Sequence, residues 1–77
     1  MYEIKYTDVA EQQRKNLPAK ARRAFEAVVD DLRRNPMNGA KKGLHDTWTR
    51  EFGQAGLIMY MVTEKYVKIT VLRVFHT

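Results

Sequence analysis

The stretch Thr47–His76, TWTREFGQAGLIMYMVTEKYVKITVLRVFH, limits the possible folds more than any other part of the chain. It contains three alternating or apolar runs, separated first by a Gly-bearing break and then by a charged one. Runs of this length, rich in Val, Ile, Thr and aromatic residues, form strands, and short breaks between them close hairpins. A three-stranded antiparallel meander is therefore expected as the floor of the domain, with any chemistry on it or at its rim.

In the first of these strands Trp48, Arg50 and Phe52 share one face and Thr47, Thr49 and Glu51 the other, and Gly53-Gln54-Ala55-Gly56 makes the turn. The next run, Leu57–Thr63, is apolar on both faces, with Ile58, Tyr60 and Val62 opposed to Leu57, Met59 and Met61. Such a strand is central in its sheet or covered on its second side by something else. Glu64-Lys65 then turns into a strand in which Val67, Ile69 and Val71 alternate with Lys68 and Thr70. Its phase changes to Leu72 and Val74 around Arg73, which implies a bulge or burial on both sides. Either re-aims Arg73 and His76.

Upstream, Met1–Tyr6 alternates as a short strand joined to the sheet, and Thr7-Asp8 supplies an N-cap and a first-turn acid for a helix to about Asn16. That helix is weakly amphipathic and is expected to ride on the surface. Leu17-Pro18 breaks the run and starts the next helix, since proline has no amide hydrogen to lose there. From Pro18 to about Arg34, Ala21, Phe25, Val28 and Leu32 form an apolar stripe with Ala24 and Val29 beside it. The opposite face is charged, and Arg22–Glu26 and Asp30–Arg34 stand four residues apart as expected ion pairs. Asn35-Pro36-Met37-Asn38-Gly39 stops the helix, and Ala40-Lys41-Lys42-Gly43 reads as a basic loop into Leu44. The predicted fold is α+β in the order β-α-α-β-β-β: one domain over residues 1–77, with an α-hairpin packed on a mainly antiparallel four-stranded sheet.

At 77 residues and 44% hydrophobic composition, a single core only just offsets chain entropy. No cysteine is present to add a disulfide or a Cys-based zinc site, so a partner that adds buried surface is plausible. Fourteen Lys+Arg against nine Asp+Glu give a formal charge of +5, a field that attracts nucleic acid, an anionic membrane or an acidic protein segment. No apolar run approaches the ~20 residues of a membrane helix, and MYEIKY lacks a signal-peptide pattern, so a soluble cytoplasmic protein is expected. Neither a nucleotide-binding glycine loop nor a metal cluster is found, and no cofactor or metal is expected.

Leu44, Trp48-Thr49-Arg50, Tyr60 twelve residues after the tryptophan, and Val71-Leu72-Arg73-Val74 running to His76 together resemble the RelE/ParE superfamily of bacterial and archaeal toxins. The W-(S/T)-R spacing is most similar to the RelE and YoeB branch. The resemblance implies the toxin of a type II toxin–antitoxin pair, an mRNA interferase that docks in the ribosomal A site, cuts mRNA and so inhibits translation. Such cleavage uses the substrate's own 2′-hydroxyl as nucleophile. The protein then needs only a base, an acid and cations around the phosphate, and no metal.

On that resemblance the catalytic candidates are His76, whose imidazole titrates near neutrality, Arg73, a fork of donors for the scissile phosphate, and Arg50. Each has a structural alternative: a solvated terminal histidine, a buried or paired Arg73, and an Arg50 that faces the helices and pairs with an acid. Lys41, Lys42 and Lys68 are the RNA-binding candidates, and His45, Asp46 and Glu51 are further candidate proton carriers without a clear counterpart in the family. Leu57 stands where the family's third strand carries an arginine, three residues before the tyrosine, and Thr77 follows His76 where the family continues to arginine and tyrosine. Leu57, Met59 and Met61 thus make an apolar strip, suited to an amphipathic, acidic antitoxin segment, or else covered by the chain's own loops or by a second copy in a homodimer. Two further classes stay open: a ParE-like inhibitor of DNA gyrase, and a degenerate member that only binds its antitoxin. Trp48 and Phe52 are either core residues or an RNA-stacking platform.

Overall fold

A computed structural model describes residues 1–77. The elements are β1 (Glu3–Tyr6), α1 (Asp8–Lys15), α2 (Ala19–Arg34), β2 (Lys41–Lys42), β3 (Thr47–Phe52), β4 (Gly56–Thr63) and β5 (Lys68–His76). The sheet has five strands in the order β1-β5-β4-β3-β2, with β1 parallel to β5 and every other pair antiparallel. The strand count corrects the expected four. Lys41 and Lys42 are an edge strand paired with Thr49 and Trp48, not a loop, and two residues are too few to show any periodicity in sequence. His45 and Asp46, at φ 56° and 60°, make the left-handed turn that closes this hairpin, and the Thr47 N–H donates to the Leu44 carbonyl across it.

The meander follows from its turn. Trp48 pairs with Tyr60 and Phe52 with Gly56, so the twelve-residue spacing of Trp48 and Tyr60 is a cross-strand register around Gly53–Gly56. Gly53 supplies the positive φ of 59°. At Gly56 a Cβ would lie 2.4–2.6 Å from the Phe52 ring, so only glycine lets that ring lie over the strand.

Thr7 caps α1, its hydroxyl oxygen accepting the Ala10 N–H. The helix does more than ride on the surface: Ala10 is fully buried, and the Gln13 side-chain oxygen accepts the Val74 N–H of β5 at 2.7 Å. In α2 the buried residues are Phe25, Val29 and Leu32, so the apolar stripe is centred on Val29 and not on Val28. The expected Arg22–Glu26 and Asp30–Arg34 pairs do not form. Arg22 instead donates to the Lys15 carbonyl at the end of α1, whose last carbonyls lack helical partners, and Glu26 pairs with Arg14 at 3.6 Å. Phe25 meets Phe52 edge-on at 5.4 Å, and these rings, with Ile58, Tyr60, Ile69, Val71 and Val74, form the core between helices and sheet.

The expected bulge is present. Met59 pairs with Arg73 and Tyr60 with Val71, which leaves Leu72 without a partner. Strand β5 begins at Lys68, one residue later than the alternation suggests, because Val67 adopts φ 51° to end the helical turn Glu64–Tyr66. No helix is long and apolar enough to cross a membrane.

Candidate nucleic-acid and partner interface

The two faces of the sheet differ because the helices cover only one. Beneath them lie Trp48, Arg50 and Phe52 of β3, Ile58 and Tyr60 of β4, and Ile69, Val71 and Val74 of β5. Cross-strand partners project to the same side, so the register gives the open face directly. One row across it reads Lys41, Thr49, Met59, Arg73, and the next reads Glu51, Leu57, Phe75. Thr47, Met61 and Thr70 make a third row. Met61 is 38% and Phe75 43% exposed while Leu57 and Met59 are half-buried, so the chain's own loops leave the strip open at Met61 and at Phe75. Phe75 extends that strip. Sequence reading missed it because the bulge sets its side, although its place opposite Leu57 follows once the register is known.

The three catalytic candidates are not brought together. Arg50 lies under the helices and donates to Asp31 at 2.6 Å and to the Asn38 carbonyl at 3.0 Å. Its guanidinium, helped by the Asn38 amide, holds the Asp31 carboxyl below the usual carboxylate range. The structural alternative for Arg50 is the one realised. His76 shares the helix side with Phe52, the two rings 22° from parallel with centroids 6.3 Å apart. Arg73 is exposed on the open face and makes no side-chain hydrogen bond or ion pair. Arg73 and His76 are three residues apart in a strand that is regular after the bulge, and an odd separation puts side chains on opposite faces.

The lysines divide in the same way. Lys41 is free and on the open face. Lys42 turns to the Trp48 side, 4.9 Å from that ring's centre and 3.3 Å from Asp46. Lys68 is half-buried opposite Thr63 at the far end of the open face. His45 and Asp46 sit on an exposed turn beside Leu44, which is 81% exposed. Of the other proton carriers considered, Glu51 alone lies on the open face, opposite Leu57.

Trp48 and Phe52 are not a stacking platform. Phe52 is 2% exposed and Trp48 packs half-buried against the core, because their shared face is the one under α2. Tyr60 is fully buried, its hydroxyl donating to the Pro36 carbonyl, and burial pushes its pKa up to about 12. That bond ties the segment after α2 to the central strand and so helps position β2. Nowhere do three His, Asp or Glu side chains gather in a way that could hold a metal ion.

No protein-family model and no curated protein matches the sequence. Solved structures match in fold. A chain of the intact Escherichia coli RelBE toxin–antitoxin complex superposes with a TM-score of 0.87 at 15% identity, over 100% of this chain and 98% of that one. A chain of the RelBE2 toxin–antitoxin complex from Mycobacterium tuberculosis gives 0.79 at 24% identity, over 99% and 98%. The YoeB/ParE toxin from Agrobacterium tumefaciens gives 0.84 at 12% identity, over 97% and 98%.

Proposed function

We propose, on the premise that this chain carries the RelE/ParE toxin fold, that it is the toxin component of a type II toxin–antitoxin system and that the open face of its sheet is the working surface. One observation carries the reading: two unengaged cations, Lys41 and Arg73, flank an uncovered apolar strip on that face. An amphipathic antitoxin segment can lay its apolar side on Leu57, Met59, Met61 and Phe75 while its acids meet the two cations. In a toxin freed of its antitoxin, the same cations receive the phosphates of mRNA on the ribosome.

Cleavage belongs to this reading as its finer part. The RNA 2′-oxygen forms a bond to the adjacent phosphorus, and the bond to the 5′-oxygen breaks. The protein removes the hydroxyl proton, returns one to the leaving oxygen and stabilises the charge between them. Arg73, with Lys41, supplies the charge stabilisation, and Glu51, in the adjacent row of the same face, is the proton carrier. A second reading, antitoxin binding without cleavage, is favoured by the separation of His76 from Arg73 and by Leu57 at the family's arginine position.

Mapping mRNA 5′ ends on ribosomes after controlled expression separates these outcomes. New ends within A-site codons are expected in wild type and His76→Ala, and their loss is expected in Arg73→Ala. Arrested translation without new ends removes the nuclease reading. Intact translation with a DNA-damage response indicates a gyrase inhibitor, and absence of toxicity leaves antitoxin binding alone.

A further inference from the structure

The end of the sheet opposite α2's first turns carries a groove that the proposed function does not use. A cleft of about 260 Å³ lies between Pro18, Ala21 and Ala24 on one wall and Phe52, Gln54 and His76 on the other. A second, of about 310 Å³, lies beyond His76 under Asn16 and Leu17. His76 borders both and divides them. Small residues meet at one edge of the first cleft, where a Cβ at Gly53 would be in van der Waals contact with that of Ala24 at 3.5 Å.

The lining is selective in its chemistry. His76 is exposed, has no hydrogen-bond or ion-pair partner, and holds its ring near parallel to that of Phe52. No carboxylate lines either cleft, whereas Lys20, free of any ion pair, stands at the first. The amides of Gln54 and Asn16 offer donors and acceptors at the rims. The first cleft is below the ~300–1,000 Å³ typical of sites for drug-sized ligands, and its lining by Ala21, Ala24, Phe52 and His76 suits a single planar group.

We propose that this groove binds one or two unpaired bases of single-stranded RNA, stacked on His76, with Lys20 at an adjoining phosphate and Gln54 at a base edge. Stacking of this kind tolerates any base, since each presents a π-face. The first cleft lies on the other side of the sheet from Arg73, and only its neighbour shares a residue, Phe75, with the open-face strip, so the inference at His76, Lys20 and Gln54 stands apart from the open-face reading.

A heteronuclear NMR titration of the intact chain with pentauridylate, and separately with the abasic ribose-phosphate pentamer, distinguishes base from phosphate contacts. The expected result is that pentauridylate shifts the amides of Ala21, Ala24, Gly53, Gln54 and His76 and the abasic strand does not. His76→Ala then weakens binding about tenfold, within the range for loss of one stacking partner. Ala21→Leu, which fills the cleft and leaves the imidazole, weakens it too, with an unchanged spectrum elsewhere as the control for folding. Equal shifts from both strands, no shifts, or occupancy of the groove by an amphipathic peptide but not by RNA overturn the inference. So do shifts confined to Thr49, Met59 and Arg73, but those leave the proposed function standing.

Discussion

Tyr60→Phe removes one oxygen from the fully buried centre of the sheet and leaves the Pro36 carbonyl without its donor. An unsatisfied buried acceptor costs ~1–3 kcal/mol. In a domain of this size each kcal/mol moves Tm by ~4–8 °C, so a central loss of ~2 kcal/mol lowers Tm by roughly 8–16 °C. The pH dependence sharpens the test. The phenol's pKa rises from its ordinary 10.0 to about 12 on folding, so the folded state favours the neutral form. Its contribution is complete below pH 10 and is lost as pH rises toward 12, a change on the order of a few kcal/mol. Urea unfolding followed by Trp48 fluorescence and circular dichroism, at pH 8 and in steps to pH 11.5, measures both. The wild type is expected to exceed the variant at pH 8, with the gap closing on the alkaline side. An unchanged Tm, or curves that stay parallel to pH 11.5, would refute the reasoning and leave the segment before β2 held by something other than this bond.

Other perturbations test separate parts of the fold. Gly56→Ala drives a methyl into the Phe52 ring and is expected to cost ~1–3 kcal/mol by overpacking; adding Phe52→Leu should recover part of the loss, and strictly additive melting shifts would contradict the clash. Arg50→Gln removes the main cause of the lowered Asp31 pKa. Because that pKa is depressed in the folded state, its stabilisation is present above the ordinary value of 3.8 and lost as pH falls through the folded value. The stability gap between wild type and Arg50→Gln in denaturant titrations should therefore shrink in acid, and a gap independent of pH from 6 to roughly 2.5 would rule the pair out as its cause. Replacing His45-Asp46 by Asn-Gly gives the β2–β3 turn residues suited to positive φ. Calorimetry should show a Tm gain of a few degrees, on the order of 1 kcal/mol, and a fall in Tm would show that the native pair is not strained.

The layout of this fold is legible wherever a local rule acts alone. Thr7 announces its cap, Pro18 the helix start to within one residue, since it stands as the N-cap of α2 and not as its first helical residue, and the Trp48–Tyr60 spacing its register, each through neighbours a few residues away or a turn of known length. What stays hidden depends on distant partners or on short elements. Arg50 reads equally well as a phosphate ligand until Asp31, nineteen residues earlier, is seen beside it. Glu26 has a suitable arginine four residues before it and takes another from α1 instead. Lys41 and Lys42 look alike in sequence, yet one step along an edge strand sends them to opposite faces. Several residues of the open face, Lys41, Arg73, Leu57, Met59 and Met61, are legible one by one, but Phe75 and the exclusion of Arg50 and His76 are not, because they depend on the parity of three strands.

The unpaired Leu72 also bears on how such a chain can change by descent. Beyond it, Arg73 and Phe75 share the open face while His76 falls behind. Loss of the single codon for Phe75 would move the histidine into the vacated position, two residues from Arg73, and leave Val74 in the core. A one-residue length change near this end is thus a switch between an apolar and an imidazole-bearing face. Relatives that differ in spacing here are better compared by the side of the sheet each residue occupies than by alignment column.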